Sequence, residues 1–232
     1  MAEGFQTRTS GGGIQIDQTY RNLALRAKGS FVPGTAWNNG KWRLGTITVN
    51  GNSPVLAWRC ASPAAMVQAS RSGNSITYTF IIAANGGAID WYLFDEPAYG
   101  SATGDLGIRI RNPSTGVVVF DSRMKYMRIV GTVSGDFTSL APPAGGSYSG
   151  APAIVTGNSP YSYLVQTIGA PGGPPPYPWI DLVNYVMASV SGGNVAWTRQ
   201  ATDGVQHPAN QNANSPSSQF NYNYLVIDVA GF

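Results

Sequence analysis

Residues Ser75 to Ile82 form the clearest alternating run, placing Ile76, Tyr78, Phe80 and Ile82 on one side and Thr77 and Thr79 on the other. A two-residue period is the repeat of a pleated strand with one face buried. Shorter runs of the same kind recur along the chain, cut apart by 29 glycines and 16 prolines, and helical periodicity is hard to find. The runs Trp42–Val49, Ile89–Phe94, Met127–Val133, Tyr161–Ile168, Val195–Gln200 and Tyr222–Val229 read as strands, while Leu182–Ser191 fits a strand or a short helix. Leu106–Ile110 and Val117–Asp121 flank Asn112-Pro113-Ser114-Thr115-Gly116, which predicts a hairpin with a Pro/Gly loop. Many short strands with regular turn signals predict an all-β fold, a β-sandwich or irregular barrel with long Pro/Gly-rich loops.

Charge divides the chain. Charged residues make up 11% of the 232 residues, against roughly 25% in ordinary soluble domains. The net charge of +3 conceals a step after Asp136, because Arg199, Asp181, Asp203 and Asp228 are the only charged residues beyond it. Two units are therefore expected: a charged β-sandwich domain over 1–136 and a low-charge β segment with extended arms over 137–232, or one continuous domain. Three Pro/Gly-rich or polar stretches fall in the second unit, at 140–146, 169–178 and 207–216. Proline donates no backbone hydrogen bond, so these read as surface loops or as arms such as 140–152 and 169–179 laid across adjacent subunits.

Catalytic equipment is sparse. His207 is the sole histidine, Cys60 the sole cysteine, and no Gly-x-Ser-x-Gly elbow surrounds Ser147. These numbers exclude the common zinc sets, and no phosphate loop or dinucleotide fingerprint is present. Neither a catalytic residue nor a metal or cofactor is expected. Asp90 and Asp95 flank an aromatic run as in a glycosidase cleft, yet on a strand they point to opposite faces ~16 Å apart. Glycosidase carboxylates need roughly 5–9.5 Å, so the cluster reads as structural, with Asp95 and Glu96 opening a turn at Pro97. Basic residues are too scattered for nucleic-acid binding, and no apolar stretch approaches a membrane span.

Binding is the better-supplied alternative. Among six Trp and twelve Tyr, the group Tyr161, Tyr163, Tyr177 and Trp179 surrounds the Pro-rich stretches and is the candidate aromatic patch for a ligand or an interface. The prolines before Tyr177 and Trp179 are expected to keep those two rings out of a packed strand. Arg109 and Arg111 alternate with Ile108 and Ile110, and Arg123 and Lys125 follow shortly after; on adjacent strands the four would line one face, the candidate basic interface.

Three segments carry a resemblance. Gly4-Phe5-Gln6-Thr7-Arg8 with Gly13–Asp17 and Tyr20–Leu23, the run Gly116–Met127 around Val119-Phe120-Asp121-Ser122, and the closing strand Tyr224–Val229 resemble tail-tip, baseplate or tail-fibre structural proteins of long-tailed bacteriophages. The resemblance implies a virion tail component that forms trimers or hexamers with itself, meets other tail proteins and supports host attachment. Such a protein would be made in the host cytoplasm, which agrees with an N-terminus lacking a secretory signal. The alternative is a carbohydrate-binding β-sandwich that recognises a host surface glycan.

Overall fold

The structure is a computed structural model that describes residues 6–8, 14–17, 22–37, 40–167, 179–202, 206–207 and 218–232. In chain order its strands are β1 (Gln6–Arg8), β2 (Ile14–Asp17), β3 (Ala24–Phe31), β4 (Thr35–Trp37), β5 (Trp42–Asn50), β6 (Val55–Arg59) and β7 (Ala64–Ser72). There follow β8 (Ser75–Ala83), β9 (Ile89–Asp95), β10 (Arg109–Arg111), β11 (Val118–Asp121), β12 (Arg128–Asp136) and β13 (Gly146–Ser147). The last are β14 (Pro152–Asn158), β15 (Tyr161–Thr167), β16 (Trp179–Ser191), β17 (Asn194–Thr202), β18 (Gln206–His207) and β19 (Asn221–Asp228). Among the described residues the one helical turn is a 3-10 turn at Pro97–Tyr99.

Two antiparallel sheets face one another. One runs β12-β19-β14-β6-β9-β3, and the other runs β13-β17-β16-β7-β8-β5-β4, with β15 and β18 also paired to β16. The alternation of β8 becomes the centre of the sandwich: Ile76, Tyr78, Phe80 and Ile82 are all buried in the core between the sheets. Trp58 of β6 meets Phe80 edge-on with ring centroids 5.7 Å apart. Burying a large side chain such as Phe80 contributes about 1.5–3 kcal/mol. Trp58 keeps its polar edge satisfied by donating from Nε1 to Thr156 Oγ1 at 3.1 Å. The predicted hairpin is β10–β11, with Arg109 opposite Asp121, and Leu182–Ser191 belongs to the strand β16.

The charge step at residue 137 does not interrupt the hydrogen bonding. β14 and β19 follow the step yet lie between β12 and β6, which precede it. In the other sheet Ala188 of β16 pairs with Ala64 of β7, and Val190 N–H donates to Cys60 carbonyl at 2.7 Å. Phe137, the first residue after the step, is fully buried in the shared core.

One expected arm turns inward. Residues 137–151 make their bonds to their own sandwich: Phe137 N–H to Phe220 carbonyl, β13 to β17, and Tyr148 N–H to Gly193 carbonyl at 2.8 Å. Leu140 and Tyr148 pack on the core and Pro143 is buried. Apolar side chains at these positions recover more by covering their own core than by staying extended, so 140–152 is not a strap free to reach a neighbour. The stretches 169–178 and 208–216 lie outside the described residues.

Candidate functional site

The aromatic candidates separate. Tyr177 lies outside the described residues. Trp179 opens β16, where its backbone pairs with Thr167 on one side and His207 on the other. The prolines therefore end just before the strand and do not hold residue 179 out of it, which corrects the expectation for that position. Tyr161 opens β15, pairs with Tyr185 across the ladder, and exchanges both backbone hydrogen bonds with Gln219 at 2.8 and 3.0 Å. Its ring is half-buried, 6.3 Å from the Tyr185 ring. Tyr163 is half-buried two residue pairs further along, opposite Val183, and donates its backbone N–H to Ser218 Oγ at 3.0 Å.

Of the basic candidates, two converge on one carboxylate. Asp121 has no exposed surface and receives Arg109 Nε at 2.7 Å, Arg123 Nε at 2.8 Å and Arg123 Nη2 at 2.6 Å. The Arg123 contacts, and then Arg109, hold the Asp121 carboxyl well below the usual carboxylate range despite its burial. Arg111 instead donates to Gly116 carbonyl at 2.8 Å, and the Lys125 ammonium stands 5.7 Å from the centre of the Phe232 ring. The four cations are thus not a single open basic face, because Asp121 neutralises the middle of it.

This clamp fixes an apolar prong. On one side of Leu106 the chain is tied by Thr103 N–H to Arg123 carbonyl at 3.1 Å. On the other, Ile108 N–H donates to Ser122 Oγ and Ser122 N–H to Ile108 carbonyl, both at 2.9 Å. A Cβ at Gly107 would overlap the Arg123 side chain, so the chain approaches the clamp closely there. The result is Leu106 at 94% exposure and Ile108 at 68%, held on an anchored loop.

A second buried carboxylate organises the C-terminal end of β9. Asp95 receives Asn52 N–H at 3.1 Å, Ser53 N–H at 3.0 Å, Glu96 N–H at 2.9 Å and Arg26 Nη1 at 2.8 Å. Burial pushes its pKa up, but the backbone donors and Arg26 outweigh it and leave the carboxyl below its ordinary value. Asp90 is exposed, so the pair does not converge on a common cleft. Asp95 does more than open the Pro97 turn: it ties the Asn52–Ser53 loop to β9.

Acid should act through these groups. Both carboxyls are depressed in the folded state, so their contribution is complete above the unfolded value of about 3.9 and is lost as pH falls below it. The melting temperature is expected to stay level between pH 7 and 5 and to fall steeply below about pH 4. Thermal unfolding across that range checks it, and a curve still level at pH 3 would contradict the role given to the two carboxylates.

Where the sheets diverge, a cleft of about 320 Å³ opens between them. Met66–Ala69 and Tyr78 form one wall, Thr156–Ser159 the other, and Tyr161 and Gln219 close one side. The connection from β14 to β15 crosses here from the six-stranded sheet to the larger one. Each wall contains a β-bulge, between Met66 and Gln68 on β7 and between Thr156 and Asn158 on β14. A bulge adds an unpaired residue and bends its strand, which is how a sheet is turned away from its partner. Gly157 occupies the second bulge, where a Cβ would come within 3.0 Å of Asn223 carbonyl oxygen. Burial raises the Tyr78 phenol above its ordinary pKa, so it stays protonated and able to donate. Tyr161 was legible in the sequence as a ligand aromatic; the rest of the cleft was not, because its walls come from segments about 90 residues apart. Compared with protein families, curated proteins and solved structures, the chain has no match.

Proposed function

We propose that this chain is a structural subunit of a bacteriophage tail tip or baseplate, one that assembles with copies of itself and with other tail proteins and supports host attachment. The observation that carries the assembly reading is the Leu106–Ile108 prong. Two large apolar side chains, one almost fully and one two-thirds in water, on a loop anchored to a buried ion-pair cluster, are a cost to a monomer and an anchor for a partner. Sparse charge supports the same reading, since a surface buried against neighbours does not need charge for solubility. The tail assignment itself rests on the resemblance of Gly4–Arg8, Gly116–Met127 and Tyr224–Val229 to tail proteins. On this reading the protein is made in the host cytoplasm and ends in the virion, and it is a non-enzymatic component.

Light scattering coupled to size exclusion tests it. A mass of three or six times 24.5 kDa is expected. A stable monomer that never enters a virion would overturn it.

A further inference from the structure

The cleft between the two sheets carries chemistry that the assembly reading leaves unused. Among the described residues its lining contains no charged side chain. It offers the phenol of Tyr78, the half-buried ring of Tyr161, the hydroxyl residues Thr156 and Ser159, and the amide residues Asn158 and Gln219. Amides and hydroxyls both donate and accept, and an aromatic ring supplies an apolar face beside them. A volume of about 320 Å³ stands at the lower end of small-molecule sites, which span roughly 300–1,000 Å³.

We propose that this cleft binds an uncharged oligosaccharide, with the Tyr161 ring against a sugar face and Asn158 and Gln219 bonding its hydroxyls. Three observations converge on it. The neutral lining offers nothing to balance a phosphate, sulfate or carboxylate, whose burial without a partner is costly. The donors and acceptors are mixed, which matches a ligand whose every hydroxyl is both. Two bulges, one in each sheet, lie in the facing walls, and bulges of this kind recur beside functional sites because they re-aim side chains. Thr156 Oγ1 accepts from Trp58 Nε1, which ties the cleft wall to the core and makes it rigid. Among the described residues no carboxylate pair lines the cleft.

This site stands apart from the assembly reading, and one preparation tests both separately. The purified full chain is applied to an array of neutral and anionic glycans, beside Tyr161→Ala and Asn158→Ala, while its mass is read by light scattering. Binding of at least one neutral glycan is expected, weakened about tenfold by each substitution. Circular dichroism confirms that each variant is folded. Should Tyr161→Ala fail to fold, Asn158→Ala, at an exposed position, carries the comparison. Absence of any neutral ligand, a preference for anionic glycans, or folded variants with undiminished affinity would each overturn the proposal. Glycan binding by a monomer would retain it while discarding the assembly reading.

Discussion

Asp95→Ala is expected to lower the unfolding free energy by about 3–5 kcal/mol. The carboxylate has no exposed surface and accepts from three backbone N–H groups and from Arg26. Alanine removes every acceptor at once, and each donor left without one in the interior costs about 1–3 kcal/mol. Arg26 softens the loss, because its side chain is 30% exposed and can turn to water. The total is a large share of the roughly 5–15 kcal/mol that holds a typical domain. It corresponds to a drop in melting temperature on the order of 10 °C for a chain of this size. Asp95→Asn retains an acceptor for one or two backbone N–H groups and loses only the charge toward Arg26, so it should fall between the two. Urea unfolding with an unchanged slope reads the difference. A loss under about 1 kcal/mol in Asp95→Ala would mean that the Asn52–Ser53 loop does not depend on this residue.

Leu106→Glu is expected to reduce the assembled protein to a 24.5 kDa monomer without unfolding it. Leu106 is 94% exposed, so the fold loses no packing when it changes. At an interface the balance differs. A leucine entering a partner contributes about 1.5–3 kcal/mol of burial, and a carboxylate there adds an uncompensated charge. The effect is repeated at every contact of a closed ring, so a modest change per site dissolves the assembly. Ser114→Glu places the same charge at an exposed position on the β10–β11 turn and should leave the mass unchanged. If Leu106→Glu keeps the wild-type mass, the prong is not the contact, and the assembly reading loses the observation that carries it.

Much of the secondary structure was legible locally. β5, β8, β9, β12, β15, β17 and β19 each coincide with an apolar run read from the sequence, and the 112–116 turn places β10 against β11. Two of the strands that escaped reading did so for separate local reasons. β6 lies in the middle of its sheet, and Leu56, Ala57 and Trp58 are buried in succession, so no alternation marks it. β14 opens with Pro152 and carries its bulge at Gly157, both of which look like loop signals. The candidate site divides in the same way: Tyr161 was visible as an aromatic near a Pro-rich stretch, while the cleft it closes was not.

The sequence by itself determined that this chain is all-β and where seven of its strands lie. Those properties depend on neighbours along the chain, where a period of two and a turn residue are enough. The tertiary structure alone decided that β14 and β19 enter the sheet begun by the first half, and that Asp95 and Asp121 are buried acceptors. It also decided that Arg109 and Arg123 face Asp121, and that Tyr78, Asn158 and Tyr161 meet in one cleft. Each of these joins groups from separate strands or loops. Nothing in the local pattern ranks one pairing above another, because the choice rests on satisfying buried donors and filling a shared core, and those energies exist only once the sheets have come together.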